Sequence, residues 1–314
     1  MNRLSRILSN PRKHLSFSYI VNKVIGERLF VIWRKLSPII PSDYLFLKVY
    51  YRLAIGRNLN LKNPKTFTEK IQWLKLHNTD LLYSKIVDKY QVREIVASKI
   101  GEEYLVPLLG VYNSFDEIDI NQLPNQFALK TTHDSGTVCV CKDKSTFNLN
   151  QYKKKFTDAL SRNYFFYSRE YPYKNAIPRI VAEEFLLTDT PELGLIDYKF
   201  FCFNGEPKFL MLVTDRGLET RNDFFDLEFN PMKVKSGFSP KSEFEILKPQ
   251  NFEKMVQIAK LLAQSLVFIR IDLYNINGKI YFGEFTFHHN GGLTQFDTKE
   301  EDLKWGELIK LHNE

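Results

Sequence analysis

Leu266-Val267-Phe268-Ile269-Arg270-Ile271-Asp272-Leu273-Tyr274-Asn275-Ile276-Asn277-Gly278-Lys279-Ile280-Tyr281-Phe282-Gly283-Glu284-Phe285-Thr286-Phe287-His288-His289-Asn290-Gly291-Gly292 contains two runs of alternating apolar residues joined by Asn277-Gly278. Alternation at a period of two predicts strands, and Asn-Gly between them predicts a tight hairpin. With an odd number of loop residues, such as the three-residue loop 277–279, Asp272 falls opposite Glu284 and Arg270 opposite Thr286. Ile269, Ile271, Leu273, Phe285 and Phe287 then share the other face, which reads as core. Two carboxylates at a cross-strand distance of about 5 Å repel each other unless a cation lies between them. An all-oxygen donor set suits magnesium better than zinc, and the neighbouring arginine suits a phosphate. The plainer alternative is a solvated Asp272 paired with Arg270 or a lysine.

A chain of 314 residues with 44% hydrophobic and 26% charged residues is ordinary for a globular protein of one large or two smaller domains. No apolar run reaches the length of about 18 residues that a bilayer span needs, and the first residues lack the apolar core of a secretory signal, so a cytoplasmic protein is expected. Three cysteines are an odd number. Cys139 and Cys141 alternate with valines, without the second Cys or His pair of a structural zinc site, and read as reduced thiols in or near a core. The net charge of +7 is unevenly placed: residues 1–58 hold eleven Lys and Arg against Glu27 and Asp43, a local +9 that leaves −2 for the rest. Interleaved with Leu, Ile, Phe and Trp, this segment fits an amphipathic surface for anionic lipid, a nucleic-acid patch or a solvated helical layer.

Residues 1–58 read as short helical pieces broken by Pro11, Pro38 and Pro41. Thr66 with Glu69 three residues on is a capping box opening a helix over 63–76 that presents Ile71 and Leu74 on one face. A second helix is expected over about 84–99. Strands follow at Val106–Tyr112, Phe127–Lys130 and Thr137–Lys142, the last two joined by His133-Asp134-Ser135-Gly136, and a helix at 149–163. Further strands are expected at 179–187 and across 196–213, turning at Asn204-Gly205. Met255, Ile258, Ala259, Leu262 and Leu266 repeat at helical spacing.

Four segments together suggest a nucleotide site. Lys130 and the loop His133–Gly136 offer a cation and backbone amides to phosphate oxygens. Glu183-Glu184-Phe185-Leu186 ends a strand where main-chain groups and an acid suit adenine and ribose. Asp197 and Lys199 share a strand face, and the opening hairpin adds Arg270, Asp272 and Glu284. Taken singly, a lysine at a strand end is most often a surface residue and a Glu-Glu pair a solvated edge.

The order of these pieces resembles the TupA-like branch of the ATP-grasp superfamily, associated with teichuronopeptide and other bacterial surface-polysaccharide biosynthesis. The resemblance rests on Asn63–Lys75, on Asp88-Lys89-Tyr90-Gln91-Val92-Arg93, on Leu123-Pro124 with Phe127–Lys130, on Ala182–Phe185, on Asp197–Lys199, and on Arg270–Tyr274 through Gly283–Phe287, and spans about residues 50–312. It implies an α+β fold with two lobes clamping ATP. The expected organisation is a basic helical segment (1–58), a preceding region (59–125), a small lobe (126–190) and a catalytic lobe (191–314). It further implies ATP and Mg2+, a carboxylate activated as an acyl phosphate, and capture by an amine or amino acid. By position, Lys130 and Lys142 resemble nucleotide cations, with His133, Ser135 and Gly136 as the phosphate loop and Glu183 to Leu186 as the adenine and ribose hinge. Lys199 resembles the γ-phosphate cation and Arg270 the residue that stabilises the acyl phosphate, both catalytic. Asp272 and Glu284 resemble the metal ligands, with Thr286 where many superfamily members carry asparagine.

The implied function is an ATP-dependent carboxylate–amine ligase of capsule, O-antigen or wall-polymer biosynthesis. Its substrate would be a sugar acid or amino sugar, free or lipid-linked, with peripheral contact to anionic membrane at the inner face and no nucleic acid. The competing classes are a glycosyltransferase of the same material, against which stands the lack of an Asp-x-Asp donor site, and a non-catalytic scaffold, against which stand Lys130, Arg270, Asp272 and Glu284.

Overall fold

The computed structural model describes residues 17–188, 194–214, 220–234, 240 and 242–311. The first part of the basic segment, with Pro11 and the apolar Leu4, Ile7, Leu8 and Leu15, lies outside the described residues, as do parts of the loop 215–240. Contacts divide the chain into two compact units, residues 1–59 and 60–314.

The first unit is a helical hairpin. Helix α1 (Phe17–Lys35) is followed by a 3-10 turn at Ser37–Ile39 and by α2 (Asp43–Ile55). Pro38 sits at the start of that turn, where its missing N–H costs no hydrogen bond. Ser42 caps α2 by accepting from Leu45 N, and Gly56 closes it in the left-handed conformation. The two helices are joined by Phe30 stacked on Tyr50 at 5.0 Å, Trp33 on Phe46 at 6.1 Å, and the Trp33 indole donating to the Phe46 carbonyl at 3.1 Å.

The second unit opens with α3 (Phe67–His77), whose capping box of Thr66 and Glu69 is complete. The helix expected over 84–99 is two helices, α4 (Leu82–Val87) and α5 (Val92–Ile100). The break falls at Asp88, whose buried carboxylate accepts from Tyr90 N at 2.9 Å and Gln91 N at 3.0 Å, offering the backbone an alternative to the helical ladder.

Strands β1 (Leu108–Tyr112), β2 (Phe127–Thr131), β3 (Val138–Cys141) and β4 (Ile180–Glu184) form an antiparallel sheet in the order β1-β4-β2-β3. Helix α6 (Asn150–Leu160) packs Phe156 against Phe115 on its core, and the short α7 (Phe165–Ser168) follows before β4. Cys139 and Cys141 point into this core, and burial pushes the Cys139 thiol up to about 12, keeping it protonated.

The larger sheet has the order β7-β6-β5-β8-β9, built from β5 (Asp197–Phe203), β6 (Glu206–Thr214), β7 (Arg221–Phe225), β8 (Phe268–Ile276) and β9 (Lys279–Thr286). Strand β7 lies in the stretch that sequence treats as loop, because Arg221-Asn222-Asp223 interrupts the alternation that Phe224 and Phe225 only begin. One face is covered by α8 (Phe252–Ala263), which buries Met255, Ile258, Ala259 and Leu262 against Ile269, Ile271, Leu273, Phe285 and Phe287. On the other face, α3 and α9 (Lys299–Leu308) enclose Phe67, Ile71, Leu74, Phe201, Phe268 and Trp305. These helices fit closely: a Cβ on Gly306 would lie 2.1 Å from the Lys65 carbonyl oxygen, and Asp302 accepts from Thr68 N at 2.9 Å and its hydroxyl at 2.8 Å.

The β8–β9 turn has two residues, Asn277 and Gly278, both with positive φ, and not three. A two-residue turn alone would place Asp272 opposite Gly283. The register shifts between Asp272 and Leu273, so Leu273 pairs with Phe282 and Asp272 with Glu284. The pairing of Asp272 with Glu284 and of Arg270 with Thr286 is therefore as expected, but a β-bulge at Gly283 produces it.

Candidate functional site

A cleft of about 220 Å3 lies between the two sheets. Lys89, Arg93, Lys130, Ser135, Gly136 and Thr137 line one side; Asp197, Asp272, Gly283 and Glu284 line the other. One wall is therefore cationic with backbone amides at its loop, and the opposite wall is acidic.

The acidic wall is set by the bulged hairpin and β5. Asp272 is buried, and its two oxygens accept from Arg270 Nε and Nη2, each at 2.7 Å, while Lys199 also donates to it. Lys199 lies 3.2 Å from Asp197, and Arg270 reaches Glu284 at 3.2 Å and His289 Nδ1 at 2.8 Å. Burial by itself would raise the Asp272 carboxyl, but Arg270 and Lys199 hold it well below the usual carboxylate range. Burial and then the Arg270 charge push the Lys199 ammonium down, opposed by Asp272. Burial, then Arg270 and Lys199, push the His289 imidazole far below its ordinary value, so it is neutral and accepts from the guanidinium. Asp272 is thus neither solvated nor free: it is the shared anion of two buried cations.

Among the described residues no group of three or more His, Cys, Asp and Glu side chains is gathered to hold a metal ion. Asp272 and Glu284, opposed across the strands and all-oxygen, fit an ion such as magnesium that takes one or two carboxylates and completes its shell with phosphate oxygens and water.

The cationic wall is built from β2, β4, the turn before α5 and the first turn of α5. Lys130 donates to Glu183 at 2.7 Å, and Arg93 lies 3.5 Å from the same carboxylate and donates to the Val106 carbonyl at 2.9 Å. Lys89 reaches the loop after β2, donating to the Asp134 carbonyl at 2.6 Å. The Asp134 side chain braces that loop, accepting from Thr137 at 2.5 Å and from Thr131. Gly136, with φ of +92°, has open space where a Cβ would stand, so its backbone is approachable from the cleft.

A second polar network lies behind the hairpin. Lys75 of α3 donates to the carbonyls of Ser168 at 2.8 Å and Gly291 at 2.7 Å, and Gln72 donates to those of Gly291 and Gly292. Burial pushes the Lys75 ammonium down to about 8. Glu170 accepts from Ser168 and lies 3.4 Å from His288 Nδ1. Asn290, Gly291 and Gly292, all with positive φ, are thereby fixed four to six residues beyond Thr286, next to His289 and its bond to Arg270.

Not every residue expected at the site is there. Lys130, Ser135, Gly136, Glu183, Asp272 and Glu284 line the cleft, with Lys199 and Arg270 bonded to its acidic wall. Lys142 is exposed at the far end of the β2–β3 hairpin, past the Phe127–Cys141 pair, because the length of β3 carries it away from the loop. His133 is buried, with Nε2 3.0 Å from the Ala159 carbonyl, and faces α6 instead of the cleft. Glu184 is exposed and pairs opposite Phe127, with Phe185 and Leu186 beyond it outside the cleft; only Glu183 turns inward, and it meets cations there. Thr286 stands opposite Arg270 and is not part of the cleft lining. Lys89 and Arg93 are the residues that reading by strands missed. They sit in a helical motif, and only the Asp88 break turns them toward the cleft.

A cationic wall set against paired carboxylates, on two antiparallel sheets, agrees with the arrangement of an ATP-grasp protein. The chain belongs to the TupA-like ATP-grasp family, whose model matches residues 69–310. No curated protein matches the sequence. Among solved structures, the chain is similar to the D-alanine–D-alanine ligase of Bacillus anthracis complexed with ATP, at 14% identity and a TM-score of 0.40 over 68% of this chain and 61% of that one. It is also similar to a RimK domain ATP-grasp protein of Sphaerobacter thermophilus, at 8% identity and a TM-score of 0.39 over 72% and 69% of the two chains. The chain thus spans 61% of the length of that D-alanine–D-alanine ligase.

Proposed function

We propose that the protein is an ATP-dependent ligase that joins a carboxylate to an amine in the building of a bacterial surface polysaccharide, through an acyl phosphate. The observation that carries this reading is the pairing of Asp272 with Glu284 beside Arg270 and Lys199, across the cleft from Lys130 and the loop 133–136. Phosphoryl transfer to a carboxylate needs charge neutralisation and alignment more than a protein nucleophile, and these residues supply both. Magnesium, held by Asp272 and Glu284, would neutralise charge on the β- and γ-phosphates.

Lys130 and Lys89, with the backbone of Ser135 and Gly136, would grip the phosphates, and Lys199 would move from Asp272 to the γ-phosphate. Arg270 would hold the substrate carboxylate in line and then the acyl phosphate. A carboxylate oxygen attacks the γ-phosphorus and ADP leaves with the bonding electron pair; the neutral amine then attacks the acyl carbon, phosphate leaves with the electron pair of the acyl–oxygen bond, and the proton from nitrogen passes to that phosphate or to water. The polysaccharide assignment rests on the family's association, and the acid and the amine are a sugar acid or amino acid and an amino sugar or other amine.

The test is product analysis with a panel of uronic-acid sugars, amino sugars and amino acids. The expected result is ADP and phosphate released only when acid and amine are both present. Release of AMP and pyrophosphate, or turnover of nucleotide sugar without ATP, would remove the reading.

A further inference from the structure

The helical hairpin of the first unit carries an exposed apolar tip that nothing in the ATP-grasp site uses. Leu29, Ile32 and Leu36 follow one another at intervals of three and four residues, so they form one stripe along α1 and the residue just past its end, and they are 47%, 52% and 40% exposed. The stripe runs into the turn before α2, where Ile39 is 76% exposed, and on to Tyr44 and Leu45 at the start of α2. Phe30 and Trp33, on the neighbouring side of α1, are the residues that pack on α2, so the hairpin is held together without the stripe.

Cations border this tip. Arg28 and Lys35 are exposed beside the stripe, two helical turns apart from each other, and Lys48 lies over the Tyr44 ring at 5.4 Å. Between residues 26 and 58 there are six Lys and Arg against Glu27 and Asp43. A surface with apolar side chains at its tip and cations around the rim matches the boundary of an anionic bilayer, where aliphatic groups enter the acyl region and Lys and Arg stay at headgroup level. A second copy of the same face would bring cation against cation. Nucleic acid would meet the cations but leave Leu36 and Ile39 facing water, since phosphate contacts bury no aliphatic tip.

We infer that the tip formed by Leu29, Ile32, Leu36, Ile39 and Leu45, ringed by Arg28, Lys35 and Lys48, is a docking surface for anionic lipid that seats the protein on a membrane face. No described helix is long and apolar enough to cross a membrane, so the attachment is peripheral and reversible. Each rim cation is worth about fivefold in partitioning at low salt, and the contribution fades as the Debye length shortens.

The experiment is co-sedimentation of the full chain with vesicles of phosphatidylcholine alone or mixed with phosphatidylglycerol, at low and high salt. Wild type is expected to bind the anionic vesicles, to release in high salt, and to ignore the neutral ones. Ile39→Asp is expected to lose about tenfold or more in partitioning and Lys35→Glu with Lys48→Glu a comparable amount. All three positions are exposed, so thermal melting should match wild type. Equal binding to both vesicle types, no binding at low salt, or wild-type partitioning by the variants overturns the inference. So does a lipid-free dimer that Ile39→Asp abolishes, which would assign the face to a second copy. The outcome is separate from the ligase assay, because lipid binding is read without turnover.

Discussion

Phe282 and Glu284 stand two residues apart on β9 and face opposite sides of the sheet. Phe282 pairs with Leu273 and packs with the core against Phe285 at a ring distance of 4.9 Å, reaching the cleft only at its edge, whereas Glu284 pairs with Asp272 on the face that carries the acidic wall. In a regular strand they would share a face, so the bulge at Gly283 is what lets a core residue and a candidate metal ligand lie so close in sequence.

A Cβ at Gly283 would lie 3.0 Å from the Asp272 carbonyl oxygen and 3.3 Å from the Tyr274 ring, so Gly283→Ala must widen the hairpin locally. The expected cost is about 1 kcal/mol of stability, read from denaturant unfolding. A larger fractional loss of Mg·ATP affinity in calorimetry should accompany it. Wild-type values for both would show that the bulge tolerates a side chain.

Asp272→Asn and Glu284→Gln should separate stability from ligand binding. Asp272 is buried between two cations, and removing its charge leaves Lys199 with only Asp197 and Arg270 with only Glu284 as anionic partners, a loss of about 3 kcal/mol. The Glu284 side chain is 35% exposed, so its neutral variant should fold almost as stably as wild type. Both should lose magnesium-dependent thermal stabilisation by ATP. An Asp272→Asn protein as stable as wild type would mean that the ion-pair network does not form.

Lys199→Ala and Arg270→Ala are expected to fail differently. On the proposed function the lysine exchanges Asp272 for a phosphate, so its loss should weaken ATP use, seen as a raised KM. The arginine on that reading meets the group that changes charge during reaction, so its loss should lower kcat more than ATP affinity. Steady-state kinetics showing parallel losses confined to KM would remove this division of roles.

The hairpin 266–292 was legible in sequence because alternation, Asn277-Gly278 and the two acids are all local signals, and a face assignment needs only parity. The parity came out correctly although the turn is one residue shorter than expected, since the bulge restores it. The expected ATP-grasp fold agrees with the family match, which residues such as Lys130 and Asp272 had indicated. Lys142 and His133 are placed away from the cleft because a position on a hairpin or in a loop does not say where the side chain ends up; Lys142 stands at the far end of β3 and His133 finds the Ala159 carbonyl. Lys89 and Arg93 stand in the Asp88–Arg93 motif without a role in the sequence reading, because one continuous helix is expected there and the break at Asp88 is a backbone feature. The contact of Lys75 with Gly291 joins residues more than two hundred apart, and no local pattern encodes such a pair.

Lys75 gives the last prediction, which depends on pH. Its ammonium titrates at about 8 in the fold against 10.5 for an ordinary lysine, because burial disfavours the charge. Between those two values the unfolded chain binds more protons than the folded one at this position, so the Lys75 contribution to stability rises with pH across that window and is flat below about 8. The difference in unfolding free energy between wild type and Lys75→Met should therefore move in favour of wild type between about pH 8 and 10.5, by a total on the order of 3 kcal/mol. At neutral pH the variant relieves the buried charge but leaves the carbonyls of Ser168 and Gly291 without this donor, so the two effects oppose each other there. Urea unfolding of both proteins across this range reads the difference directly. A stability difference that stays constant with pH would show that Lys75 titrates normally and that the loop 289–292 is held by other contacts.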